Sequence, residues 1–247
     1  MNFIENILFV KIFLYVYNSL SRIRSGEAIG KSFDLGMQAG KELFSQLKGP
    51  EKPGGEMLMK PFLMNIDFKS GDLKPNDRTN IRKLSHMKGM FLDAESERLI
   101  LEGNDPIIYS FSEKVLPEEP GHLQIAMTSI NPGKIGGEYY MTKGHYHKLA
   151  HSSEVYLGLE GKGCLLMQTV EGHFASIDIL PGALAYIPPY WGHRMVNTGE
   201  KPFIFFAVYP GDAGHNYGDI EKSGFAKILV ERHGKPILMD NPRWQKR

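Results

Sequence analysis

Cysteine is almost absent from this chain of 247 residues, which contains only Cys164. A single thiol excludes an intramolecular disulfide, and it excludes a zinc site built from several cysteines. Chains without disulfides are typical of reducing compartments, so we predict a cytoplasmic location.

The chain also lacks an excess of charge of either sign, with 29 Lys and Arg residues against 28 Asp and Glu residues. Domains that bind nucleic acid usually carry a clustered surplus of basic side chains. We therefore expect no nucleic acid among the partners. The composition, 42% hydrophobic and 23% charged, is that of a folded domain and excludes a disordered chain.

An uninterrupted apolar run is missing as well, since a membrane-spanning helix needs about 20 mainly apolar residues. The most apolar stretch, residues 3–20, is broken by polar side chains at Glu5, Asn6, Lys11 and Asn18. We predict that residues 1–55 form an N-terminal extension, first helical and then a loop. An amphipathic docking helix, an extension from an upstream start codon and a weak membrane anchor remain open for it. The anchor ranks lowest, so a membrane partner is disfavoured.

Glycine and proline are abundant, with 27 and 15 residues, which favours many short strands joined by tight turns. From His122 onward, strand candidates alternate with turn residues such as Asn131-Pro132-Gly133 and Pro181-Gly182. This regular alternation of strand candidates and turns predicts an all-β fold, a double-sheet jelly roll or barrel. Further upstream, residues 107–111 read as a strand, whereas residues 78–90 are compatible with a helix or a loop.

Two blocks of residues carry the metal-binding chemistry. In Lys143-Gly144-His145-Tyr146-His147 the two histidines share one face of a strand, because side chains two positions apart point the same way. Glu154 opens the next strand, and His193 lies in a second block that follows Pro188. Three imidazoles and one carboxylate suit a first-row divalent ion with positions left open for substrate. The other histidines that follow strands or turns are read as surface residues: His151, His173 and His233.

These two blocks resemble the two motifs of the cupin barrels. Four segments closely resemble the cupin-type glucose-6-phosphate isomerases, first known from archaea: residues 138–147 (EYYMTKGHYH), 188–194 (PPYWGHR), 209–215 (YPGDAGH) and 240–244 (DNPRW). The resemblance implies a cupin jelly-roll barrel over residues 56–247, with a metal core at 122–215, behind the N-terminal extension. Tyr139 and Tyr190 occupy positions where cupins in general have glycine, and both departures are shared with this isomerase family.

The resemblance implies an isomerase of glycolysis and gluconeogenesis that interconverts glucose 6-phosphate and fructose 6-phosphate. One divalent ion per chain is expected on His145, His147, Glu154 and His193. Fe²⁺ comes first, with Mn²⁺, Zn²⁺ and Ni²⁺ as alternatives. Glu154 is predicted to move the proton between the two carbons. It remains open whether Glu154 is only a ligand, and whether a hydride shift replaces proton transfer.

The resemblance also implies how the sugar phosphate is held. Tyr209 and His215 line the sugar pocket and assist catalysis, while Tyr156 shares the face of Glu154 and contacts substrate. The predicted phosphate cradle consists of Tyr109, Thr128, Thr142 and Gly144. Ordinary strand packing is the alternative for each of these residues.

Other functions of a cupin remain open, because this fold hosts many chemistries. An isomerase of another sugar phosphate, for instance mannose 6-phosphate, is one. A non-catalytic sugar-binding cupin and a dioxygenase are two others. The predicted phosphate cradle argues against a dioxygenase of apolar substrates. By resemblance, a homodimer is expected.

Overall fold

The computed structural model describes residues 59–67 and 70–244. The chain divides into two compact units, Met1–Leu63 and Met64–Arg247, and all elements given below lie in the second. The extension predicted for residues 1–55 lies outside the described residues, so its structure and its boundary stay predictions. Over the part of the chain that is described, no helix has the length and apolar character needed to cross a membrane.

The second unit consists mainly of short strands in the order β1 (Asn65–Asp67), β2 (Asp72–Lys74), β3 (Arg78–Lys83), β4 (Ile107–Glu113), β5 (Leu123–Ile130), β6 (Lys134–Ile135), β7 (Glu138–Tyr139), β8 (Tyr146–His147), β9 (Glu154–Glu160), β10 (Gly163–Gln168), β11 (Phe174–Ile179), β12 (Leu184–Ile187), β13 (Gly192–Asn197), β14 (Phe203–Pro210), β15 (His215–Asn216), β16 (Lys227–Arg232) and β17 (Lys235–Asp240). A 3-10 helix, Leu84–Met87, follows β3, and two short helices, α1 (Ala94–Gly103) and α2 (Gly218–Ser223), complete the described elements.

Antiparallel sheets form the frame of this unit. The largest has six strands in the order β12-β9-β14-β5-β4-β3, and a second has the order β11-β10-β13. A four-stranded sheet, β17-β16-β7-β6, and two-stranded pairs, β1-β2 and β15-β8, complete the arrangement. The all-β jelly-roll barrel is therefore confirmed as the fold class.

The core lies between the six-stranded and the three-stranded sheets. Ile130 and Phe203 of the six-stranded sheet belong to the same buried cluster as Leu165 and Met195 of the three-stranded sheet, and each is at most 1% exposed. Full burial of one such side chain stabilises the fold by roughly 1.5–3 kcal/mol. This common core holds fixed the strands that carry the site.

The prediction for residues 78–90 is wrong at its start, because β3 covers Arg78–Lys83 as an edge strand of the largest sheet. Helix α1 was not predicted. Its signal is local: the Asp93 side chain accepts a hydrogen bond from the Ser96 backbone N–H, and Glu95 and Glu97 lie in the first turn. An acceptor at the N-cap and acidic residues in the first turn are typical of helix starts.

Candidate metal centre and active site

The two blocks of metal-binding residues meet through their backbones. His145 and His193 exchange backbone N–H···O=C hydrogen bonds of 3.1 and 3.0 Å. Gly144 makes this approach possible, since its φ is +75° and an added Cβ would lie 2.9 Å from the carbonyl oxygen of His193. Glycine adopts this left-handed conformation without the steric cost that other residues pay. The backbone thus sets the spacing of the two imidazoles.

Backbone carbonyls fix the rings of two of the three histidines, His147 and His193. Nδ1 of His147 lies 3.2 Å from the carbonyl oxygen of Ser152, and Nδ1 of His193 lies 3.3 Å from that of Trp191. A proton on each Nδ1 donates to these carbonyls and leaves Nε2 with a lone pair. This arrangement orients metal-binding histidines in proteins generally.

The four predicted ligands converge around the Glu154 carboxylate. One ligand atom from each of His145, His147, Glu154 and His193 lies within 4.8 Å of the others. Oε2 of Glu154 is 4.0 Å from Nε2 of His145, 3.2 Å from that of His147 and 2.8 Å from that of His193.

Two of these nitrogens are buried without a hydrogen-bond partner. Among the described residues, Nε2 of His145 and Nε2 of His193 are buried and have no hydrogen-bond partner. For His193 the short distance to Glu154 lacks the direction of a hydrogen bond. Buried nitrogens without partners are costly, whereas a divalent ion would satisfy both lone pairs. The residues present therefore fit a metal ion.

The protonation states of Glu154 and His145 also fit a metal ion. Burial alone would raise the pKa of the Glu154 carboxyl, but His193 and His147 outweigh it and lower that pKa to about 2. Burial and the neighbouring histidines hold the pKa of His145 well below its ordinary value. At neutral pH the carboxylate is therefore ionised and His145 is neutral, which are the forms that bind metal.

A cavity of about 450 Å³ opens beside the metal group. Its walls include every residue predicted to contact substrate or assist catalysis: Tyr109, Thr128, Thr142, Gly144, Tyr156, Tyr209 and His215. The structure brings these side chains to one place, and their individual roles stay predictions.

Comparison with known proteins decides the family. The family model for glucose-6-phosphate isomerase (GPI) matches residues 81–243. A glucose-6-phosphate isomerase of Thermococcus litoralis is 48% identical over 185 residues, which are 75% of this chain and 97% of the relative. This chain belongs to the cupin-type glucose-6-phosphate isomerase family. The resemblance seen in the sequence is confirmed, and so is the enzyme class, an aldose–ketose isomerase.

Other members extend the match. A glucose-6-phosphate isomerase of Pyrococcus horikoshii is 46% identical over 189 residues, 76% of this chain and 100% of its own length. A protein of Rhizobium meliloti named as putative glucose-6-phosphate isomerase 1 is 32% identical over 193 residues, 77% of this chain and 90% of its own.

At one departure of this isomerase from the general cupin pattern, the backbone still has the conformation that favours glycine. Tyr190 has a φ of +72°, the left-handed region that favours glycine. Its backbone N–H donates to the carbonyl oxygen of Ala150 at 2.6 Å, and this contact ties the second block to the loop between β8 and β9. Tyrosine at this position retains the turn, and its ring is exposed.

The aromatic residues of this isomerase site form a continuous group around His145. The ring centroid of His215 lies 4.3 Å from that of His145, and that of Tyr209 lies 5.2 Å from that of His215. Burial raises the pKa of Tyr209, so its hydroxyl remains protonated and can donate a hydrogen bond. The three histidines interpreted as surface residues, His151, His173 and His233, are exposed.

Sequence reasoning missed three residues of the site: Arg82, Arg194 and Tyr217. Tyr217 stacks on His215 with ring centroids 5.7 Å apart, and its position two residues after His215 was an available signal. Arg194 is buried and donates from Nε and Nη2 to the carbonyl oxygen of Lys143, at 3.2 and 2.7 Å. Arg194 therefore holds the segment that leads into the metal histidines. Arg82 lines the cavity from edge strand β3.

Proposed function

We propose that this chain interconverts glucose 6-phosphate and fructose 6-phosphate with one divalent ion held by His145, His147, Glu154 and His193. The observation that carries the proposal is the pair of orphaned histidine nitrogens beside an ionised carboxylate, at the wall of a cavity lined with hydroxyl groups. Family membership supplies the substrates. We place this proposed reaction in glycolysis and gluconeogenesis.

The bound ion would polarise the substrate carbonyl and the neighbouring hydroxyl. Fe²⁺ is the first candidate, and Mn²⁺, Zn²⁺ and Ni²⁺ are the others, since nitrogen and oxygen ligands suit all four. Glu154 would take the proton from C2 of glucose 6-phosphate and return it to C1, while the hydroxyl proton on O2 would pass to O1. Binding to a cation lowers the basicity of a carboxylate, so the alternative that Glu154 is only a ligand stays open.

Ring opening requires a proton to move from the anomeric hydroxyl to the ring oxygen. His215 faces the cavity, and burial lowers its pKa, so its imidazole is neutral at pH 7 and can both accept and donate a proton. Tyr209 beside it is a hydrogen-bond donor. We assign ring opening to these two residues.

The phosphate would lie at Tyr109, Thr128, Thr142 and Gly144. Oγ1 of Thr142 accepts a hydrogen bond from the backbone N–H of Met195 at 3.1 Å, and its own hydrogen remains available for a phosphate oxygen. Gly144 is buried in the cavity wall. Tyr156, on the same face of β9 as Glu154, would contact the sugar between the metal group and the phosphate cradle.

The test is a coupled assay of glucose 6-phosphate formation from fructose 6-phosphate. Metal-stripped protein and protein reloaded separately with Fe²⁺, Mn²⁺, Zn²⁺ or Ni²⁺ are compared. We expect turnover only in reloaded protein. Mannose 6-phosphate is offered in parallel, because preference for it would assign a different sugar-phosphate isomerase. Absence of turnover with every ion and either sugar would favour a non-catalytic sugar-binding cupin.

We extend the proposal to a homodimer in the cytoplasm. The buried thiol of Cys164, the single cysteine, fits a reducing compartment. Light scattering on purified protein tests the dimer, and a monomer mass at assay concentrations would contradict it.

A further inference from the structure

Five basic side chains line the cavity beside the metal group: Arg78, Arg82, Lys114, Lys143 and Lys148. Three of them are already neutralised. Arg78 forms an ion pair with Glu113, Lys114 lies 2.6 Å from Asp77 and Lys143 lies 2.9 Å from Glu221. Their charges are therefore largely compensated within the protein.

Arg82 is different. Among the described residues no carboxylate lies within ion-pair distance of its guanidinium. The group lies over the ring of Phe111, 5.8 Å from its centroid, and it is opposite Tyr109 in the β3–β4 register, where it interacts with the tyrosine hydroxyl. Contact with the Phe111 ring restricts the guanidinium, and its charge is not compensated by a carboxylate among the described residues.

Arg82 lies beside the predicted phosphate cradle. Its cross-strand partner Tyr109 belongs to the predicted phosphate cradle, and Phe111 is opposite Thr128, another cradle residue, in the β4–β5 register. Tyr217 lies between the phosphate cradle and the metal group. Its ring centroid is 5.7 Å from that of His145, and the charge of Arg82 acts on its hydroxyl.

The remaining basic residue does not compete for this role. Lys148 has no ion pair among the described residues, but it is exposed, and the methylenes of its side chain pack beside Gly214. An exposed ammonium is strongly hydrated and interacts weakly with a bound anion. It contributes to the general positive field of the cavity at most.

A phosphate group carries close to two negative charges at neutral pH, and hydroxyl donors alone do not neutralise them. Arginine binds phosphate through two parallel N–H···O bonds from its planar fork. We infer that Arg82 is the cation that pairs with the substrate phosphate, and that it selects phosphorylated sugars over neutral ones. This inference rests on the proposed function.

The test compares Arg82→Gln with Lys148→Gln as a matched loss of one positive charge from the same cavity. For Arg82→Gln we expect KM for fructose 6-phosphate and the inhibition constant of inorganic phosphate to rise by about 10- to 100-fold, the scale of a lost charge-assisted hydrogen bond. Metal content and kcat should change little. Lys148→Gln should alter both constants by less than about 3-fold, as expected for an exposed charge. Arg82→Lys should restore part of the loss.

Binding of inorganic phosphate, measured by calorimetry on metal-loaded protein, separates this inference from the proposed function. Wild-type activity with unchanged KM and unchanged phosphate binding in Arg82→Gln overturns the role of Arg82 alone. Equal losses in Lys148→Gln also overturn it, because they would indicate a general field. A wild-type protein that binds phosphate through Arg82 but does not isomerise fructose 6-phosphate overturns the proposed function and leaves the phosphate site in place. If Arg82→Gln lowers the melting temperature, Arg82→Lys replaces it in the comparison of KM and phosphate binding with Lys148→Gln.

Discussion

His145 and His193 form one antiparallel backbone pair, with N–H···O=C hydrogen bonds in both directions, although 48 positions separate them in the chain. Each contributes an Nε2 to the metal group, so the spacing of two ligands depends on this pair. Gly144 stands immediately before the pair, where a side chain would contact His193 and Phe225. The metal site is therefore sensitive to a residue that offers no ligand atom.

Replacing Gly144 with Ala should weaken both folding and metal binding. Alanine is strained at a φ of +75°, and its Cβ would meet the carbonyl oxygen of His193 at 2.9 Å and the Phe225 ring at 2.8 Å. We expect a loss of roughly 1–3 kcal/mol in the free energy of unfolding, the scale of one residue held in an unfavourable conformation. Urea denaturation and metal analysis measure the two effects.

Gly234→Ala is the matched control, since Gly234 has a φ of +72° and an added Cβ would meet nothing within 4 Å. It carries the same backbone strain in the β16–β17 hairpin, without the contact with His193. Equal metal content in the two variants would show that the close approach at Gly144 does not set the ligand spacing.

Removing ligands should remove the metal. The double variant His145→Ala/His193→Ala deletes the two orphaned nitrogens, and we expect the metal content to fall from about one ion per chain to a small fraction. His173→Ala, at an exposed histidine, is the control and should retain the metal. Elemental analysis after dialysis measures the content, and full occupancy in the double variant would disprove the site.

The sequence predicted the four metal ligands but not Arg82. The shared face of His145 and His147 was predicted from strand geometry alone, whereas the convergence of Glu154 and His193 on them was predicted from the spacing of the two blocks and from resemblance to a family. Long-range pairing of this kind depends on sheet register, which local patterns do not specify. Arg82 was missed because β3, an edge strand with the sequence RTNIRK, has almost no apolar alternation to indicate a strand.

Glu138 provides a test of burial through pH. The residue is 3% exposed, and burial raises the pKa of its carboxyl above the usual 4.5, although hydrogen bonding from the Leu92 backbone N–H and the charge of Arg194 partly oppose this. The folded state therefore binds the proton more tightly than the unfolded state. The free energy of unfolding should fall as pH rises from 4.5 through the raised pKa, because folding must then proceed with a buried charge.

Glu138→Gln removes this titration. Relative to wild type, the variant should gain stability as pH rises from 4.5 to 7.5, by about 1.4 kcal/mol for each unit of pKa elevation. Urea denaturation of both proteins at the two pH values gives the difference, in which the titration of all other groups cancels. Glu200→Gln, at an exposed position, should show no such trend. A constant difference between wild type and Glu138→Gln would mean that Glu138 stays ionised in the folded state.

Glu154→Gln separates the two roles open to this residue. Glutamine keeps the length and one acceptor oxygen but removes the basic carboxylate, while three histidines remain to hold the ion. If Glu154 moves the proton, turnover of metal-saturated protein should fall by about 10²-fold or more, the usual scale for loss of a general base. Glu160→Gln, at the exposed end of the same strand β9, should leave turnover unchanged.

Isotope exchange tests whether the substrate proton leaves its carbon. In D₂O, wild-type protein should place deuterium at C2 of glucose 6-phosphate if a proton is transferred through Glu154. Fast return of the same proton keeps the incorporation low, so the turnover of Glu154→Gln is the deciding measurement. Near wild-type turnover in the metal-saturated variant would make Glu154 a ligand only. The base would then be Tyr209 or His215, which face the same cavity, or a water molecule bound to the ion.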